Sequence, residues 1–571
     1  MKYLLMVATA AFFSFLSRQE IPKPSNNTSN YLLKKKITAI SCAPLRDRSI
    51  AEQGIGLLPG TGKHHWKIRT VSDSAQLYFD QGMNLYYSFH IIEALASFIK
   101  AQRFDPENPM LYWAEALAYG PNINDLGYTQ SPEALKAVQS ASRSASQATS
   151  VEKGLIAAMS VRYSDEASAT REKLNTAYRD AMAGLYRSNP DNPEIIALYA
   201  DALMVMHPWD LYEGNGAPKA WTPELVDLLE NGLKKDPQHP GINHYYIHAV
   251  EGSRDPARGM ASADRLGSIV PSAAHMVHMP SHIYIRTGHY SKGIDVNVAA
   301  LRGYESYLKL YPASSGNPFI YQFHNTHMMA ACAIMNGNSA VALKSAKKCH
   351  DDIPADLFTQ PPPFNEMIQY IYATPIFAMV RYGKWNDLIA YQVPDSLHFF
   401  KILDLFGKGI AYARLGKADQ AEKSLTDMAR LMEQDSALKI RAFNTAYDAA
   451  NVAKLLLEGI MAEQKGELDK AEKLLTQAAV AEENMVYNEP KDWLLPPLQY
   501  LGQVQLKQGK FREAEATFRK DLAFNPNNSW ALKGLHMALV KQGKTTESAT
   551  VKTELTKALR GADAKVEYAV Y

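Results

Sequence analysis

The sequence predicts an all-α fold, a superhelical solenoid of antiparallel helix pairs, and three observations carry the prediction. Amphipathic helical stretches are separated by glycine turns at a regular interval; Gly509-Lys510-Phe511 and Gly543-Lys544-Thr545 open their turns 34 residues apart. Related turns stand at Gly288-His289-Tyr290, Gly383-Lys384-Trp385, Gly416-Lys417-Ala418 and Gly466-Glu467-Leu468. Proline breaks alternate with them, at Asp105-Pro106, Asn189-Pro190, Asp236-Pro237, Val270-Pro271 and Asn525-Pro526. Strand signals are nearly absent. One such hairpin cannot bury its apolar face alone, so neighbours must stack into a curved array.

The 571 residues exceed what one compact core supports, which an extended array accommodates. Lys and Arg number 61 and Asp and Glu 59, so bulk attraction to a polyanion is excluded as a driving force and nucleic acid is not the expected partner. Three cysteines exclude a disulfide scaffold and a four-cysteine zinc module; Cys332 and Cys349 could pair.

Taken in order, residues 1–17 read as a secretory signal peptide. Met1-Lys2 is a charged start, and Tyr3 to Leu16 is an almost wholly apolar run too short for a comfortable span. Export, to the periplasm, is therefore expected, with no integral membrane span in the mature chain. Residues 18–72 read as a linker or extended segment, with Pro22, Pro24, the run Asn26 to Asn30 and a Gly-rich stretch from Gly54 to Gly62. Gly60-Thr61-Gly62-Lys63-His64 is not a phosphate loop, because His64 stands where a hydroxyl is needed. Residues 73–240 form N-terminal helical repeats, 241–350 a His-rich central set, and 351–571 the C-terminal repeats. His90, Trp113 and Trp493 are expected to lock helix pairs, and Asp492 to cap a helix.

The glycine-turn hairpins resemble tetratricopeptide repeats, whose period and helix-turn-helix pattern these are. The resemblance implies that the first helix of each pair lines a concave groove, with repeat positions 2, 5, 9 and 12 facing it and positions 4, 7, 8 and 11 packing. Such grooves usually take a peptide.

Eight of the sixteen histidines fall between residues 244 and 327, and seven lie on first helices. They are His244 and His248 with Glu251, then His275, His278 and His282, then His324 and His327. Their spacings of three, four and seven put each set on one helix face. Registers counted from Pro237, Gly288 and Gly337 assign all eight groups to the groove positions. Clustered imidazoles with a carboxylate suit a transition metal ion, either zinc, copper or iron. Met276, Met279, Met328 and Met329 nearby would also fit copper. Eight candidates exceed the ligands of one site, so either two ions bind or some histidines orient ligands, move protons or hold substrate. Asp201 could join them. Tyr245 and Tyr284 are neighbours, and Arg286 could hold an anionic group. Pro280 should kink its helix between His278 and His282. There is no HExxH signature and no dinucleotide-binding glycine fingerprint.

The chain also resembles a widespread, little-characterised family of exported bacterial tetratricopeptide-repeat proteins with a His-rich central segment. The matching stretches are Tyr78 to Gly82, Phe89-His90 with Glu93-Ala94, Tyr112-Trp113 with Gly120 to Asn124, His244 to Glu251, His275 to Tyr284, Asn488 to Pro490 with Asp492-Trp493, and Asp521-Leu522 with Asn525 to Trp530. Leu498 stands where an arginine is expected in that family. The resemblance supports the fold and the importance of the central segment and implies no reaction.

Two functional readings follow. In one, the chain is a metal-dependent enzyme whose ion activates water or oxygen, with Glu251 as ligand or base and Tyr284 and Arg286 as catalytic neighbours, acting on a small molecule or peptide in the groove. In the other, it is a non-catalytic scaffold that recruits a peptide or an envelope protein, and the histidines are structural.

Overall fold

The computed structural model describes residues 48–124, 128, 130–166, 168–311, 318–441 and 443–571. The expected signal peptide and the first part of the expected linker lie outside the described residues. Among those described, the chain is all-α, and its one extended pairing is an isolated bridge between Tyr212 and Pro218. The architecture is a tetratricopeptide-like array of antiparallel helix pairs, as in Ala446–Gln464 with Leu468–Glu483, and Pro497–Lys507 with Phe511–Phe524. No helix among them is long and apolar enough to cross a membrane.

The helix ends follow from local chemistry. Gly509 takes φ 76° and Gly543 φ 72°, the left-handed region open to a residue without Cβ. Each sits inside a double closure: Lys510 N–H donates to Gln505 O and Gly509 N–H to Leu506 O, and Lys544 and Gly543 repeat the pattern on Leu539 and Val540. Pro280 acts as expected. Having no N–H, it ends the Ala274–His278 helix and opens Pro280–Arg286, with Met279 at the joint.

Two large apolar cores run along the array, one from Ala51 to Tyr311 and one from Tyr290 to Val570. They overlap at the central hairpins, where the C-terminal repeats curl back onto the middle of the chain. Trp530 Nε1–H donates to Ile334 O at 2.7 Å, Asp563 accepts from the N–H groups of Ser339 and Ala340, and Tyr487 Oη donates to Glu251 at 3.0 Å. The expected open trough is therefore closed at its centre by the segment that carries Tyr487 and Glu489. Burial follows: His244, His248, Glu251, His275, His278, His282 and His327 are each at most 4 % exposed.

Several smaller expectations change. Cys332 and Cys349 are buried free thiols. Asp492 caps no helix; its carboxylate accepts from the side-chain amides of Asn444 and Asn488. Trp113 donates to the carbonyl of Leu155 on a neighbouring helix, while Trp493 donates locally to Leu495 and packs edge-on against Phe377 and Phe406.

Candidate metal centre

Three elements bring the central histidines together. The Pro240–Glu251 helix carries His244, His248 and Glu251; the two helices broken at Met279 carry His275, His278 and His282; the Pro318–Asn336 helix carries His324 and His327. Six of the seven imidazoles form two adjacent triads, His244 with His248 and His275, and His278 with His282 and His324. In each triad one ring nitrogen from every member lies within 4.8 Å of the others. The triads touch: His248 and His282 have ring centroids 5.6 Å apart, and His275 and His278 6.0 Å.

The hydrogen bonds decide which nitrogen each ring presents. His244 Nδ1 lies 2.6 Å from the carbonyl of Tyr87, an acceptor only, so Nδ1 carries the hydrogen and Nε2 the lone pair. That Nε2 faces His275 Nε2 at 3.1 Å. His278 Nδ1 lies 2.5 Å from Asn297 Oδ1, and the Asn297 amide is oriented by its own NH₂ donating to Gly293 O. His282 Nδ1–H donates to Glu251 Oε2 at 2.9 Å, and His248 Nδ1–H to Glu251 Oε1 at 2.9 Å. Nε2 of His278 and Nε2 of His282 then meet at 2.8 Å. With His282 charged, its Nε2–H donates across that gap to the lone pair of His278 Nε2, and a metal ion bound by both rings would displace that proton.

Glu489, read from the sequence as part of a helix break, completes the centre. Its Oε1 stands 3.1 Å from His282 Nδ1 and 3.3 Å from His248 Nδ1. Burial works against a charged His282, but the carboxylates of Glu489 and Glu251 overcome it and push the ring up to about 10. Burial likewise favours a neutral Glu489, and His282 and His248 outweigh it and hold the carboxyl well below its ordinary range. Burial, followed by the neighbouring imidazoles, keeps His244, His275, His278 and His324 well below the ordinary imidazole value, so these four are neutral ligand-type rings.

Two aromatic residues wall the first triad from a strained backbone. Phe89 (φ 57°) and Trp209 (φ 60°) occupy the left-handed region although neither is glycine. The Phe89 ring stacks on His248 at 6.2 Å and on His275 at 5.6 Å, and Trp209 meets His248 edge-on at 5.2 Å. Such conformations cost about 1–3 kcal/mol and persist only where the surroundings enforce them.

The remaining candidates lie elsewhere. His327 belongs to neither triad; its ring is 6.2 Å from that of Tyr370. The Tyr284 hydroxyl donates to Asp264, away from the imidazoles. Arg286 gives its donors to the carbonyls of Glu251 and Ser253 and stacks 4.9 Å over Tyr487, so it braces the Glu251 support and does not offer a free cation. Asp201 accepts from Tyr86 and stands 3.8 Å from Arg162 in a separate buried group. Met276 and Met279 pack in the apolar core.

A second His/Glu cluster, His64 with Glu194 and His239, has the opposite chemistry. Ile242 N–H donates to His239 Nδ1 at 3.2 Å, which leaves the hydrogen on Nε2, 3.4 Å from Glu194. Glu194 also pairs with His64 at 2.6 Å and accepts from Tyr87 Oη at 2.7 Å. This carboxylate is saturated by donors and fastens the 52–72 segment to the repeats.

Among solved structures, the human IFIT1 dimer with m7Gppp-AAAA is similar at 12 % identity and a TM-score of 0.30, covering 93 % of this chain and 100 % of that one. The Cut9–Hcn1 hetero-tetramer of the APC/C is similar at 13 % identity and 0.24, covering 86 % and 96 %, and yeast Tom70 at 12 % and 0.27, covering 86 % and 95 %. At such values none of them bears on function. No protein-family model and no curated protein matches the chain.

Proposed function

We propose that this chain is an exported bacterial tetratricopeptide-repeat protein that binds transition metal ions through His244, His248, His275, His278, His282 and His324, one ion to each triad, and uses them on a small molecule. The single observation that carries the reading is the pairing of Nε2 atoms, His244 with His275 at 3.1 Å and His278 with His282 at 2.8 Å, with His244, His278 and His282 pinned at Nδ1 by carbonyl or carboxylate acceptors. Metal-ligating imidazoles have this arrangement, in which the acceptor at one nitrogen sets the tautomer and raises the basicity of the other.

Three imidazoles without a directly ligating carboxylate suit zinc or copper; iron sites of this size usually recruit a carboxylate. Three protein ligands also leave a position open for water or substrate. Glu251 and Glu489 act as orienting acceptors for His248 and His282, and their two negative charges favour cations in the centre. Burial of the imidazoles argues against their serving as donors to a peptide or envelope protein on an open groove. Export rests on the Met1 to Leu16 leader pattern.

The test is the double substitution His278→Ala with His282→Ala. The reading expects bound copper or zinc to fall from about two ions per chain to about one, with helical content unchanged; full retention of metal in that variant would overturn it.

A further inference from the structure

A cavity of about 140 Å³ adjoins the two triads, with His248, His275 and His324 in its wall. It reaches the surface beside Ile440, which is 46 % exposed. Much of the remaining wall is aromatic, from Trp209, Tyr370, Phe399 and Phe443. A dry apolar space of about this size takes a single aromatic ring.

The cavity is not uniformly apolar. Glu366 and Tyr370 lie four residues apart on the Phe364–Tyr372 helix and therefore share a face, and His327 stands beside Tyr370. All three border the cavity, all three are buried, and Glu366 Oε2, Tyr370 Oη and His327 Nε2 have no hydrogen-bond partner. A buried polar atom left unpaired costs about 1–3 kcal/mol, more when charged, so three at one place mark a site that a ligand completes. Each of the three atoms can accept. The wall carries the carboxylates of Glu366, Glu489 and Asp492 and contains no Lys or Arg among the described residues.

We propose that this cavity binds a small aromatic primary amine, with the ring against Trp209 and Phe443 and the ammonium at Glu366, Tyr370 and His327. An alkylammonium brings three N–H donors to three waiting acceptors. An anion of the same shape meets the carboxylates of Glu366, Glu489 and Asp492 with no Lys or Arg to offset them. The inference extends the metal reading, because the imidazoles form the facing wall, but the amine site stands on residues outside both triads.

The experiment is calorimetric titration of the full chain with 2-phenylethylamine, 2-phenylethanol and phenylacetate, in chelator-treated and zinc-loaded samples. The amine should bind at least about tenfold more tightly than phenylacetate, the value of one charge-assisted hydrogen bond. Glu366→Gln should cost the amine about tenfold and leave the alcohol nearly unchanged. Phenylacetate binding as tightly as the amine in the chelator-treated wild-type chain overturns the proposal without relying on any variant, as does an unchanged amine affinity in a folded Glu366→Gln. Zinc binding without amine binding sinks this inference alone; amine binding without zinc binding sinks the metal reading alone.

Discussion

Nε2 of His278 and Nε2 of His282 point at each other across 2.8 Å, four residues apart on either side of a proline break. Met279 keeps helical dihedrals across the proline break, so the two rings stay i, i+4 neighbours on one ridge, while Asn297 and Glu251 hold the far nitrogen of each. A proton on His282 satisfies the contact as it stands, and a metal ion held by both rings would take that proton's place.

Glu489→Gln tests the carboxylate support. The amide keeps the volume but weakens the acceptor for His248 and His282, so metal affinity should fall about 10–100-fold with the fold retained. Competition against a chromophoric chelator reads this directly. An unchanged affinity would mean that Glu251 alone orients both rings.

Asn297→Ala frees the Nδ1 side of His278. A comparable loss of affinity, about tenfold or more, is expected at the second triad while the first keeps its ion. The check is a biphasic titration in which only one phase weakens.

Phe89 gives a prediction with an unusual sign. At φ 57° an alanine keeps the strain and loses the ring, whereas a glycine loses the ring but relieves the strain. Phe89→Gly should therefore be less destabilising than Phe89→Ala, by about 1 kcal/mol in denaturant unfolding. The order would be reversed in an ordinary helical position.

Much of the fold was legible in the sequence because glycine turns and proline breaks are local: Gly509 and Gly543 act through their own backbone. The seven histidines were legible because three registers assign them to one face. Glu489 was not, since it comes from a loop that meets His282 only when the superhelix closes; its signal was its place in a stretch shared with the resembled family. Phe89 and Trp209 were hidden for a different reason. Left-handed backbone at a bulky residue leaves no trace in periodicity. Tyr284 and Arg286 share the histidine-bearing segment, but Asp264 and the carbonyls of Glu251 and Ser253 take their donors.

The His64–Glu194 pair predicts a pH window. Burial opposes charge on His64, but Glu194 outweighs it and raises the ring; burial opposes charge on Glu194, but His239 and His64 lower its carboxyl strongly. A raised imidazole stabilises fully below the ordinary histidine value of about 6.5 and loses that contribution as pH rises through the folded value. A lowered carboxyl stabilises above the ordinary glutamate value of about 4.3 and loses it as pH falls. The destabilisation caused by His64→Gln should therefore peak between about pH 4.5 and 6.5 and shrink on either side. Unfolding of both chains across pH 4–9 measures it, and a flat difference would show that the pair carries no charge.

The most direct measurement of the central claim is elemental analysis of the full chain after loading with zinc or copper and exhaustive dialysis. Two imidazole triads predict about two ions per chain, falling to about one when His244 and His275 are both replaced by alanine. A chain that emerges from loading with no stoichiometric transition metal would contradict the account.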